Sequence, residues 1–113
     1  MTTRREMWKK QVLSALRSGS FKQGKGRLRT GSDDNCELCV WGLIQKVSGL
    51  GTIDLVSDTW SYDGSRATSV PPDSVLNELG IPRSTANGWM TANDATTDFL
   101  QLAERIDKEW VDV

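Results

Sequence analysis

The chain has 113 residues, of which 37% are hydrophobic and 26% charged, with a formal net charge of −1. These values fit one ordinary globular domain with a modest core and exclude a transmembrane or low-complexity class. The small net charge hides a division. Residues 4–31 hold nine basic side chains against one acidic, or +8, and residues 32–113 hold five basic against fourteen acidic, or −9. Two readings follow. Either the basic end meets nucleic acid or phosphate, or the two halves face and neutralise each other.

The segment MTTRREMWKK is charged and no apolar block follows it, so no secretory signal is expected. The expected location is the cytoplasm, of the native cell or of a host. Residues 4–17 carry Met7 or Trp8, Val12, Ala15 and Leu16 at helical spacing, with Thr3 as cap and Gly19 as stop. Lys9, Lys10 and Arg17 fall largely on the other face.

From Gly19 to Gly31 the chain is rich in glycine and basic residues and reads as loop or short extended chain. Phe21 and Leu28 should anchor it at two points and hold KQGKGR as an exposed turn. Within it, GSFKQGKG (19–26) matches the phosphate loop G-x-x-x-x-G-K-[ST] at all but the last position. Gly26 stands where the Mg²⁺-binding hydroxyl belongs. The loop also follows a helix, whereas a phosphate loop joins a strand to a helix N-terminus. Nucleotide hydrolysis is therefore not expected. Anion binding without hydrolysis stays open: glycines let backbone N–H groups approach a phosphate, and Lys22, Lys25, Arg27 and Arg29 add charge. The candidate contact residues are Lys22, Gln23, Gly24, Lys25, Gly26, Arg27 and Arg29.

A helix is predicted over 36–47, CELCVWGLIQKV, capped by Asp33, Asp34 or Asn35. Cys36, Cys39, Val40, Leu43, Ile44 and Val47 form its apolar stripe. It should be the most buried helix. Gly42 within it costs about 1 kcal/mol relative to Ala, which a close helix or loop contact would explain. Cys36 and Cys39 are spaced C-x-x-C, but the chain has no His and no second cysteine pair. Neither a structural zinc site nor a thioredoxin-type motif is supported. Two buried, reduced thiols on one helix face are expected.

TIDLV (52–56) and TWSYD (59–63) read as short strands, Asp63-Gly64 as a turn and SRATSV as a third strand. Asp58 and Asp63 can face each other across the hairpin and hold a cation, although solvated carboxylates are the plainer reading. PDSVLNELG is a short helix with proline at its first turn and Gly80 past its end. Residues 83–94, RSTANGWMTAND, read as a polar stretch anchored by Trp89 and Met90. A last helix spans about Thr97 to Trp110, capped by Thr96 or Asn93, with Phe99, Leu102 or Ala103, Ile106 and Trp110 facing inward. The whole is α+β: about four helices with a small antiparallel hairpin or three-stranded sheet.

Of the five tryptophans, Trp8, Trp41 and Trp110 belong to apolar helix faces. Trp60 and Trp89 have polar neighbours. They either cover the edge of a small core or form a partner-binding surface. No carboxylate pair stands out as an acid–base couple, and neither cysteine has a His to activate it. The chain is expected to be no enzyme and to need no cofactor or metal.

Trp8, the run Ala15-Leu-Arg-Ser-Gly19, and Phe21-Lys-Gln-Gly-Lys-Gly-Arg-Leu28 resemble a group of small bacteriophage-encoded proteins. In that group an AL-x-SG-[FY]-x-QG-x-G-x-L motif precedes a Cys-rich "CCLGVL" helix, whose place Cys39-Val-Trp-Gly-Leu-Ile44 takes here. Trp60 and Tyr62, Val70-Pro-Pro-Asp73, and Met90-Thr-Ala-Asn-Asp94 followed by Phe99, Leu102-Ala103 and Ile106 match its later features loosely. The resemblance implies a phage origin and a common fold, and it transfers no catalytic residue. The expected function is that of a phage accessory factor binding a host protein or an anionic small molecule, for host takeover or counter-defence, including sequestration of nucleotide signals. The alternative is nucleic-acid binding through the basic 17–29 turn. The plain reading is a connector whose charges pair with the acidic half.

Overall fold

Thr3 caps the first helix as predicted: its hydroxyl accepts from the Glu6 N–H at 3.1 Å and starts α1 (Arg4–Ser18), which stops at Gly19. The computed structural model describes residues 3–30, 37–95 and 97–111. Three short strands follow: β1 (Lys22–Gln23), β2 (Arg29–Thr30) and β3 (Glu37–Leu38). β3 lies between the other two, parallel to β1 and antiparallel to β2. The glycine-rich segment is therefore tied into a small mixed sheet.

α2 (Val40–Ser48) starts later than its apolar pattern predicts. Glu37 and Leu38 pair with both flanking strands, and this long-range pairing overrides the helical pattern. Cys39 becomes the N-cap, its sulfur accepting from the Gly42 N–H at 3.4 Å. The predicted caps Asp33, Asp34 and Asn35, and Cys36, lie outside the described residues. Val40, Trp41, Gly42, Leu43 and Ile44 are all buried, so α2 is indeed the central helix.

β4 (Thr52–Asp54), β5 (Thr59–Tyr62) and β6 (Ser65–Thr68) form an antiparallel meander. Tyr62 pairs with Ser65, leaving Asp63-Gly64 as a two-residue turn. Both have positive φ, 50° and 80°, the geometry that favours Asp-Gly in a type I′ hairpin. Asp58 and Asp63 sit beyond opposite ends of the four-residue β5, so they do not form the cation pair considered above.

α3 (Asp73–Leu79) follows Pro71-Pro72 and ends at Gly80. Residues 83–94, read as a polar stretch, form α4 (Arg83–Asp94). Its buried positions are Ala86, Trp89, Met90 and Asn93, an i, i+3, i+4, i+7 face. The last helix, α5 (Phe99–Glu109), is capped by Asp98 rather than Asn93, and the other expected cap, Thr96, lies outside the described residues. Asp98 accepts from the Gln101 N–H at 2.8 Å and the Gln101 side chain accepts from the Asp98 N–H at 3.2 Å, a complete capping box. The chain is thus α+β as expected, with one more helix and one more sheet.

One contiguous core links these elements. Trp60, Trp41, Trp89 and Trp110 run through it as a row. Trp41 stacks on Trp89 at 5.4 Å, and the Trp60–Trp41 and Trp89–Trp110 centroids are each 6.3 Å apart. Each indole N–H has an acceptor elsewhere in the chain: Leu50 O, Ala86 O, Glu109 Oε1 and Leu79 O, all at 2.9–3.0 Å. Buried aromatic area supplies stability, and these bonds remove the penalty of burying a polar N–H. Trp8 is only half-buried and lies 4.6 Å beneath the Arg4 guanidinium.

Gly42 lets the basic segment reach this core. A Cβ there would lie 1.9 Å from the Leu28 carbonyl oxygen. That same oxygen accepts from the Cys39 N–H at 3.2 Å. Gly42→Ala should therefore destabilise the fold by about 2 kcal/mol. Overpacking against main chain, about 3 kcal/mol, outweighs a helix-propensity gain of about 1 kcal/mol. Urea denaturation checks this; a stabilised variant would contradict the close approach.

Candidate functional site

The Gly24-Lys25-Gly26 turn is held from within. Asn93, fully buried on α4, is the hub. Its Oδ1 accepts from Gln23 Nε2 and from the Val40 N–H, both at 3.0 Å. Its Nδ2 donates to Gly24 O at 2.9 Å. One side chain therefore joins the turn, α4 and an otherwise unpartnered N–H in the first turn of α2. Gln23 also donates to Thr97 O at 2.9 Å. Gly24 N donates to Leu38 O at 2.8 Å and is itself buried.

The remaining turn groups face acceptors too. Gly26 N donates to the Asp94 carboxylate at 2.8 Å, and the Lys25 ammonium donates to Ala95 O. The expected anion nest thus already holds one of the protein's own carboxylates. The surroundings are also electronegative, because this is the C-terminal end of α4. Arg27 donates to the Leu55 and Val56 carbonyls. Lys22 is exposed, and Arg29 lies half-buried in β2. Lys22, Gln23, Gly24, Lys25, Gly26, Arg27 and Arg29 are brought together, but most of their polar groups point into the fold.

The tryptophan surface does not exist. Trp60 and Trp89 are each 0% exposed and belong to the core row, so neither can meet a partner. Polar sequence neighbours do not decide exposure: Thr59, beside Trp60, is itself buried.

The charge division resolves in part within the chain. Arg4 pairs with Glu78 at 3.6 Å, Lys9 with Asp107 at 3.5 Å and Arg17 with Glu104 at 3.1 Å. Exposed pairs like Arg17–Glu104 contribute little individually, about 0–1 kcal/mol. Lys10 makes no ion pair among the described residues.

Two grooves flank Phe21. The larger, about 750 Å³, lies against α1 and the end of α2. Ala15, Phe21 and Val47 form its apolar floor; Lys10, Ser14 and Ser20 supply polar groups. The smaller, about 300 Å³, lies on the side of Asp98, Phe99 and Leu100. Phe21, expected to anchor the segment, and Lys10, expected on the outward face of α1, thus line one groove. The sequence signal for it is an aromatic directly after Ser18-Gly-Ser20 and a lysine on the outward face of α1.

Cys39 is buried and its thiol is pushed up to about 12, chiefly by desolvation, against the pull of the Gly42 and Trp41 N–H groups. A neutral thiol is a poor nucleophile and metal ligand. Among the described residues no group of three His, Cys, Asp or Glu side chains is placed to hold a metal ion.

No protein-family model matches the chain, and no curated protein or solved structure matches it.

Two predictions follow from these contacts. Asn93→Leu keeps the volume but leaves the Val40 N–H and Gly24 carbonyl buried without a partner. A loss of about 2–4 kcal/mol is expected in chemical denaturation, with faster amide exchange at Gly24 and Val40. In a Cys36→Ser background, Cys39 should resist alkylation at pH 8 until urea unfolds the chain. The unfolded thiol, near 9.0, ionises before the folded one near 12. The thiol's contribution to stability is therefore complete below pH 9 and falls as pH rises towards 12. Comparison with Cys39→Ala over that range measures it.

Proposed function

We propose that the chain is a small, non-enzymatic accessory protein of phage origin that binds a host protein or an anionic ligand, and that its contact site is the Phe21 groove. Of the two partners, the groove favours the anionic ligand. The observation that carries this reading is the pairing of an apolar floor with an ammonium that has no ion-pair partner among the described residues. The groove is shallow and open, so a small ligand would lie across it and stay partly exposed. A nucleotide fits such a surface by chemistry. Its base lies on the Phe21 ring, and its phosphate meets the Lys10 ammonium and the Ser14 and Ser20 hydroxyls. Sequestration of a nucleotide signal needs no more than this, and it suits a counter-defence role.

The nucleic-acid alternative draws less support. A phosphate backbone needs a row of available cations, whereas Lys25 and Arg27 donate to main-chain carbonyls. Lys22 is the exposed cation left at the turn itself.

A thermal-shift screen with mononucleotides, cyclic dinucleotides and short oligonucleotides tests the proposal. Saturation at a hundred times Kd stabilises by about 2.7 kcal/mol, several degrees in a domain of this size. At least one nucleotide should produce that shift. Phe21→Ala and Lys10→Glu should abolish it, and Lys108→Glu on α5 should not. If oligonucleotides alone shift the protein, with steep salt dependence, the nucleic-acid alternative replaces this one.

A further inference from the structure

The two grooves beside Phe21 differ in polarity. The larger is lined by one charged side chain, Lys10, with the Ser14 and Ser20 hydroxyls. All three can donate to an anion. The smaller has a floor of Leu16, Phe99 and Leu100, and its polar side chains include Arg17, Gln23 and Asp98.

Two of those three present acceptors. Both amide hydrogens of Gln23 are used, on Asn93 Oδ1 at 3.0 Å and on Thr97 O at 2.9 Å. Its Oε1 accepts no hydrogen bond among the described residues. Asp98 Oδ1 caps α5 through the Gln101 N–H at 2.8 Å, and Oδ2 accepts none among the described residues. Asp98 is exposed, so this oxygen is open to a ligand. Arg17 is the cation of this groove. Its Nη2 holds Glu104 at 3.1 Å and Asp107 at 4.0 Å. The hydrogens on Nε and Nη1 have no partner among the described residues.

These charges decide which part of a nucleotide lies where. Asp98 repels a phosphate, and Glu104 and Asp107 already answer the charge of Arg17. The smaller groove therefore has no surplus positive charge, and the phosphate belongs on the Lys10 side. Phe21 lines both grooves, so a base on its ring can turn its edge towards Asp98. A carboxylate selects an edge with adjacent N–H donors. Among the common bases guanine has that edge, N1–H and the 2-amino group, with O6 as an acceptor beside it. Adenine and cytosine set a ring-nitrogen acceptor against the carboxylate. Uracil offers one N–H between two carbonyls.

We infer that the Phe21 site selects a guanine base and that Asp98 determines this specificity. Asp98 accepts from N1–H and the 2-amino group, and Arg17 donates to O6. The inference rests on the nucleotide reading of the larger groove and adds the identity of the base.

Calorimetric titration of the full chain with GMP, IMP, AMP, CMP and UMP tests it. GMP should bind about tenfold or more tighter than AMP, as for one bidentate base contact. IMP, which lacks the 2-amino group, should fall between them. In Asp98→Asn the preference for GMP should disappear while the affinity for AMP does not fall. Asparagine caps a helix as well as aspartate, so the melting temperature should hold. Asp98→Ser, with another competent cap, should lose the preference too. Lys10→Glu should instead weaken GMP and AMP alike. Equal affinity for GMP and AMP, a preference for another base, or a GMP preference that survives both Asp98 substitutions overturns the inference and leaves the nucleotide reading intact. Binding of no nucleotide overturns both.

Discussion

Three cations from the first quarter of the chain close the C-terminal ends of three later helices, and the arrangement of the fold depends on them. Arg5 donates to the Asn77 and Glu78 carbonyls at the end of α3. Lys25 donates to Ala95 O at the end of α4. Lys9 donates to the Asp107 and Trp110 carbonyls at the end of α5. The last carbonyls of a helix have no intrahelical partner and carry the negative end of its dipole. A cation there contributes about 0.3–1 kcal/mol when exposed, and up to about 2 when partly buried. Individually these are small. Together they fix where α1 and the basic turn sit against the whole second half of the chain.

The same requirement explains why the turn is a poor anion site. A helix C-terminus attracts a cation and repels a phosphate. GKGR lies against such an end, with Asp94 already on the Gly26 N–H. Its positive charge therefore works inward, on α4 and on the β4–β5 loop. The surface proposed for contact is therefore the Phe21 groove and not this turn. Arg27 links the turn to the β4–β5 loop through the Leu55 and Val56 carbonyls.

The tryptophan row sets the other limit on the fold. Four indoles in sequence, each hydrogen-bonded elsewhere in the chain, admit few alternative packings. Moving Trp89 would break contacts with Trp41 and Trp110 together. Gly42 then admits the Leu28 carbonyl against α2, and Asn93 ties the turn just before Leu28 to α4. The core and the basic segment are thus joined at two points by close contacts with no spare volume.

Much of this was legible in the chain itself. Thr3 and Gly19 bound α1, Pro-Pro-Asp and Gly80 bound α3, and Asp63-Gly64 marks its hairpin, because caps and turns are local chemistry. The close approach at Gly42 was legible too, since a glycine costs stability in a buried helix unless something fills its place. α4 was missed although its face recurs at Ala86, Trp89, Met90 and Asn93. One member of that face is polar, and an asparagine reads as core only when its partners are known. Those partners lie on Gln23, Gly24 and Val40, far away in sequence. The start of α2, the burial of Trp60 and Trp89 and the inward use of Lys25 and Arg27 share that character. The sequence by itself determined the helices with local caps, the hairpin and the division of charge. Tertiary structure decided what that charge touches, because pairing between distant carbonyls, amides and side chains depends on positions that no local pattern encodes.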